Sequence, residues 1–123
     1  MNGLHILAEF HNCACDATLL TGVDAVRDLC LAACGGPGLT IVAHAFHGFG
    51  TAAAPAGATG AVVLAESHLA VHTWPERAGV TVDIYVCNFS QDNGAAAEAA
   101  YRFLEQAFRP THRVRRDIVR GNP

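Results

Sequence analysis

Apolar and polar residues alternate over residues 4–10, which predicts a strand with Leu4, Ile6 and Ala8 on one face. Asp16 then offers a cap for a helix carrying Leu19, Leu20, Val23, Val26, Leu29 and Cys30 on one side, and Gly35-Gly36-Pro37-Gly38 stops it. Residues 39–46 read as a second strand. Residues 48–60 are a Gly/Ala/Pro stretch with no periodicity, which reads as a loop. Strands follow over 61–65 and 69–74, joined by a tight turn at Glu66-Ser67-His68, and residues 80–87 alternate cleanly as a fifth. Asp92 or Asn93 can cap a helix over 94–108, with Ala97, Tyr101, Leu104 and Phe108 at helical spacing. Residues 113–119 make a last, charged strand. This order, β-α-β-β-β-β-α-β, predicts an α/β chain of the α+β type, its mostly antiparallel sheet carrying two helices on one face. The other face is left for water or a second subunit.

Composition narrows the picture. At 123 residues the chain fits one domain, and 51% hydrophobic residues supply a core. Charged residues are only 15% and the net charge is −3. That balance opposes a nucleic-acid role for Arg109, Arg113, Arg115, Arg116 and Arg120, which read instead as the solvated charges of an edge strand. No apolar run has the length of a membrane span and no signal pattern opens the chain, so the expectation is a soluble, cytoplasmic protein without a membrane partner. The five cysteines are an odd number, which rules out complete internal pairing. Cys13, Cys15, Cys30 and Cys34 lack a common zinc spacing and read as free thiols with no metal.

The chemistry concentrates in residues 65–76, where Glu66-Ser67-His68 and His72-Thr73-Trp74-Pro75-Glu76 stand among apolar β-formers. Ser67 lacks the Gly-x-Ser-x-Gly setting of a hydrolase elbow. His68 and His72 lie on one face of a strand about 13 Å apart, too far to share a metal. Another route remains. In a tight turn the Ser67 hydroxyl can attack the carbonyl carbon of Glu66, giving an ester. Removal of the Ser67 α-proton then expels the Glu66 carboxylate, and hydrolysis of the dehydroalanine leaves a pyruvoyl group.

These runs, with Asp83-Ile84-Tyr85-Val86-Cys87, residues 4–10 and Phe46-His47-Gly48-Phe49, resemble the prokaryotic S-adenosylmethionine decarboxylase family. The resemblance implies a two-layer α/β sandwich that cleaves itself after Glu66 into fragments 1–66 and 67–123. Those fragments would act as a homodimer or larger oligomer, with a pyruvoyl cofactor made from Ser67 binding the substrate amine as a Schiff base. It implies that His72 removes the Ser67 α-proton and that Thr59 assists the acyl shift where the family often has serine. It also implies that Cys87 protonates the substrate carbon after decarboxylation. Phe49 resembles the residue that stacks on adenine and Glu76 the carboxylate that binds the ribose. His68 reads either as part of processing or as a polar residue at a turn. Trp74 and Glu9 read as pocket wall or as ordinary strand residues.

Residues 50–57 depart from the family pattern by being longer and blander. They border Phe49, so the departure bears on the substrate rather than on the cofactor. Two alternatives follow: decarboxylation of ornithine or arginine on the same fold, or an uncleaved, non-catalytic partner protein. The joint presence of Ser67, His72 and Cys87 weighs against the second.

Overall fold

Alternation along the chain becomes a sheet with one greasy and one open face. The computed structural model describes residues 2–88 and 91–121. Six strands, β1 (Asn2–His11), β2 (Ile41–Gly50), β3 (Pro55–Leu64), β4 (Ser67–Trp74), β5 (Gly79–Cys87) and β6 (His112–Gly121), pair antiparallel in the order β2-β3-β4-β5-β1-β6. The helices α1 (Thr18–Thr21), α2 (Val23–Gly35) and α3 (Gly94–Phe108) lie on one side. Ile6 and Phe10 of β1, Leu69 and Val71 of β4, and Val80, Val82, Ile84 and Val86 of β5 face them and are buried. The helices contribute Val26, Cys30, Ala33 and Cys34 from α2 and Ala97, Tyr101, Leu104 and Phe108 from α3. The α3 stripe is the one its 3.6-residue spacing predicts.

The single helix expected after Asp16 is two. Gly22, extended at φ −99° and ψ 120°, separates α1 from α2. Asp16 still serves the start of α1, its carboxylate accepting the Thr18 amide at 3.0 Å and the Thr18 hydroxyl at 2.9 Å. Those bonds hold its pKa below the usual carboxylate value.

The larger correction concerns residues 48–60. They are not a loop: β2 continues to Gly50, a tight turn closes between Thr51 and Ala54, and β3 begins at Pro55. Small residues hide the strands from a reading by periodicity, yet the packing requires some of them. A Cβ at Gly60 would run into the Phe46 ring across the ladder.

Thiols inside the core stay protonated. Burial pushes Cys34 up to about 11, and burial together with Cys15 does the same for Cys13. All five cysteines are unpaired. No helix among the described residues is long and apolar enough to cross a membrane.

The opposite face of the sheet carries none of the three helices. His68, His72 and Trp74 project from it along β4, and Val63, Trp74 and Ile118 are exposed there. Registers across the strands sort this face into rows. His47, Thr59, His72, Thr81 and Glu9 form one row, Ala45, Ala61, Ala70, Asp83, Leu7 and Arg116 the next, and Val63, His68, Tyr85, His5 and Ile118 a third.

Candidate functional site

A two-residue connection, Ala65-Glu66, joins β3 to β4, with Leu64 and Ser67 paired across it. Short hairpin turns that need positive φ favour Gly or Asn. Here Glu66 takes the left-handed conformation at φ 66°, which costs a side-chain-bearing residue on the order of 1 kcal/mol. The turn is held from outside by the Ala65 amide donating to the Thr40 carbonyl at 3.0 Å. A cleft of about 300 Å³ runs beside it, lined in part by Thr40, Ala65, Glu66 and Asn93.

Ser67 begins β4 and is buried, alternating in phase with Leu69 and Val71. Its Oγ accepts the backbone N–H of Cys87 at 3.2 Å. Cys87 ends β5 and is also buried. The fold therefore brings Ser67 and Cys87 together from positions 20 residues apart in sequence.

Thr59 and His72 make a second centre. They are register partners on β3 and β4, and the Thr59 hydroxyl lies 2.6 Å from His72 Nδ1. Trp74 follows on the same strand face, its ring 6.0 Å from that of His72. This centre is not joined to Ser67 within the protomer. Ser67 and His72 are five residues apart on one strand, so they face opposite sides and are separated by about 16 Å along β4. The odd spacing of the two residues by itself carries that information.

His68 stands nearer the turn, on the open face. Its ring lies 5.6 Å from Tyr85 and 6.2 Å from His5. Burial, then the neighbouring His5, hold its pKa below the ordinary imidazole value, while Asp83 opposes them. Arg120 lies over the Tyr85 ring at 4.5 Å, closing the cluster.

The residues expected to bind substrate are spread along the His72 end. Phe49, half exposed, meets the His47 ring edge-on at 5.0 Å. It borders a cavity of about 480 Å³ between the β2–β3 hairpin and the α1–α2 junction. Trp74 and Glu9 line a smaller cavity of about 100 Å³, and Glu9 also accepts from or pairs with His11 at 3.0 Å. Glu76 sits exposed on the 3₁₀ turn Pro75–Arg77 that follows Trp74. Among the described residues no cluster of three or more His, Cys, Asp or Glu is arranged to hold a metal ion.

Sequence reasoning missed Asn93 except as a possible helix cap. Its side chain does not cap α3; that contact comes from Asp92, whose carboxylate accepts the Gly94 amide at 2.9 Å. Asn93 turns back instead, donating from Nδ2 to the Cys87 carbonyl at 2.8 Å.

A family profile described as S-adenosylmethionine decarboxylase matches residues 4–121. The S-adenosylmethionine decarboxylase proenzyme of Acidithiobacillus ferrooxidans is 41% identical over 106 residues, covering 86% of this chain and 72% of that protein. The proenzyme of Thermoplasma volcanium is 36% identical over 120 residues, covering 98% of this chain and 85% of that one. The crystal structure of the adenosylmethionine decarboxylase from Aquifex aeolicus superposes with a TM-score of 0.85 at 32% identity, covering 98% of this chain and 92% of that one.

Proposed function

This chain belongs to the S-adenosylmethionine decarboxylase family, and from that premise we propose that it cleaves itself after Glu66 and then decarboxylates S-adenosylmethionine. The product is the aminopropyl donor for polyamine synthesis. The observation that carries the reading is the pairing of a left-handed Glu66 with a buried Ser67 whose hydroxyl is held by the Cys87 amide.

The residues at the turn suit the chemistry. Ser67 Oγ adds to the Glu66 carbonyl carbon, the C–N bond breaks, and an ester joins the two halves. The strain at Glu66 favours this departure from the peptide. Loss of the Ser67 α-proton breaks the Cβ–Oγ bond and releases Glu66 as a free carboxylate. Water then replaces the nitrogen, which leaves as ammonia, and residues 67–123 begin with a pyruvoyl group. Cleavage does not separate the fragments, because β4 and β5 of the second are paired to β3 and β1 of the first.

Once formed, the pyruvoyl carbonyl supplies an electron sink for decarboxylation. Cys87, adjoining Ser67, is the proton donor to the substrate carbon. Phe49 offers a flat face to adenine, Glu76 a carboxylate to the ribose hydroxyls, and Trp74 and Glu9 line the approach.

His72 is the base for the α-proton, and it serves a second copy of the chain. The middle row of the open face, with Ala45, Ala61 and Ala70, allows close approach of another sheet. A two-fold axis through that row carries the His72 end of one copy onto the Ser67 end of the other. The Ser67 α-carbon, in the plane of the sheet, is reachable from that side. For Nε2 to act as the base, Nδ1 must carry the proton, and the Thr59 oxygen 2.6 Å away accepts it. Thr59 thereby sets the tautomer. His68 lines the turn from the open face and assists processing there.

The test is direct. Mass spectrometry of the purified protein should find two fragments split after Glu66, the second blocked by a carbonyl. The same preparation should release carbon dioxide from S-adenosylmethionine. Ser67→Ala should stay a single, inactive chain. An intact wild-type chain with full activity would overturn the reading.

A further inference from the structure

Three polar side chains are buried among the described residues: Ser67, Thr73 and Asn93. Thr73 has a structural task. Its hydroxyl donates to the Leu20 carbonyl at 2.7 Å and accepts the Ala58 amide at 2.9 Å, tying α1 to the sheet. Ser67 and Asn93 are connected through a single residue. The N–H of Cys87 donates to Ser67 Oγ at 3.2 Å, and the C=O of Cys87 accepts from Asn93 Nδ2 at 2.8 Å.

Asn93 is itself fixed from several sides. Its Oδ1 accepts from Gln91 Nε2 at 3.0 Å, and its backbone N–H donates to Asn88 Oδ1 at 2.7 Å. Its carbonyl accepts the Ala97 amide at 2.9 Å, the first bond of α3. The start of a 15-residue helix is thus bolted to the last residue of β5. The same asparagine lines the cleft beside Ala65 and Glu66.

We propose that Asn93 is a positioning residue for self-cleavage: its side-chain amide fixes the Cys87 backbone, and the Cys87 N–H in turn fixes the Ser67 hydroxyl against the Glu66 carbonyl. The inference rests on Ser67 being the self-cleaving residue. Attack requires the oxygen within a few tenths of an ångström of a productive position, and a small misplacement costs rate steeply. Ser67 contributes one rotatable side chain to that alignment, and its acceptor bond from a neighbouring strand selects the rotamer. That bond is only as firm as the strand end that donates it. Without the Asn93 donor, a buried carbonyl loses its partner, and the peptide that carries it is held from the β1 side alone, by the Asn88 amide donating to the Asn2 carbonyl.

Asn93→Asp keeps the shape and replaces the donor. Ionised, it sets a charge against the Cys87 carbonyl; protonated, its O–H can donate again. Freshly synthesised precursor should self-cleave at least about tenfold more slowly at neutral pH, with the uncut fraction followed by mass spectrometry. Its rate relative to wild type should recover as pH falls into the carboxyl range, below about pH 5. Gln91→Ala, which removes the bond orienting Asn93 and leaves its donor to Cys87 in place, should slow cleavage less and show no acid recovery. Thr73→Val loses a comparable buried hydrogen bond, so it should lower the melting temperature and cleave at the wild-type rate. A folded Asn93→Asp that cleaves like wild type overturns the proposal, as does a Thr73→Val that slows cleavage equally. If wild type itself remains uncut, the assignment of Ser67 fails instead, and the two failures are told apart.

Discussion

The two ends of β4 are built by opposite means. At the Ser67 end the serine is buried and tied down by backbone, with the Cys87 amide on its hydroxyl and Asn93 behind the Cys87 carbonyl. At the His72 end the imidazole is exposed, hydrogen-bonded to the Thr59 hydroxyl and flanked by the Trp74 ring. On the proposed reading, one end is a finished half-site within the protomer. The other lies on the sheet face that carries none of the three helices, where the imidazole would serve a second copy. On that reading the nucleophile is aligned within its own chain, whereas the base is delivered by the surface of a second copy. The division of labour follows from parity: residues at odd spacing on a strand cannot share a face.

Complementation breaks or sharpens this contrast most sharply. Alone, His72→Ala should stall after the acyl shift, and hydroxylamine, which attacks esters and spares amides, should split the chain at Glu66–Ser67. Co-expressed with Ser67→Ala, the His72→Ala chain should cleave, because its Ser67 meets the partner's intact imidazole. If the mixed preparation stays as uncut as its parents, His72 does not act across subunits.

Cys87→Ala tests the finished end next. The backbone N–H survives the substitution, so self-cleavage should proceed. Turnover should fall by about 10²–10⁴-fold, the scale of one general acid. The variant should also inactivate early, as misdirected protonation passes the substrate amine to the cofactor. Full and lasting activity would make Cys87 only a buried strand terminus.

Smaller effects belong to the exposed end. Phe49→Ala and Glu76→Gln should each reduce kcat/KM for S-adenosylmethionine by roughly 1–3 kcal/mol, one stacking or charged hydrogen-bond contact apiece. Both should self-cleave as wild type does. An equal loss in cleavage would mean that these residues support the fold rather than the pocket.

The smallest expected effect is a pH dependence at His68. Its folded-state pKa lies below the ordinary imidazole value of 6.5, mainly through burial and then through His5. The folded chain therefore binds fewer protons than the unfolded one in the window just below that value. Stability is complete above it and declines as pH falls through the lowered pKa. Urea unfolding of the uncleaved Ser67→Ala chain should show this decline, and adding His68→Gln should reduce it. An unchanged slope in the double variant would remove His68 from the acid sensitivity.

Strand alternation over residues 80–87 and the helical stripe Ala97, Tyr101, Leu104 and Phe108 were enough to specify which faces are buried, since local period and burial agree there. The residues proposed for cleavage and turnover, Ser67, His72 and Cys87, stand in motifs that the sequence displays by itself. Other features depended on the third dimension. Residues 48–60 have weak strand propensity, and they pair because Phe46 needs the flat backbone of Gly60 and because β4 offers an edge. Asn93 looked like a helix cap, but Asp92 meets that need and leaves the asparagine amide for Cys87, a partner that only the packing of α3 on β5 supplies. Sequence alone names the groups able to do the chemistry, because their identity is a local property. Their division between two faces and two ends of one strand was decided by sheet register and helix packing, because proximity is a property of the whole fold.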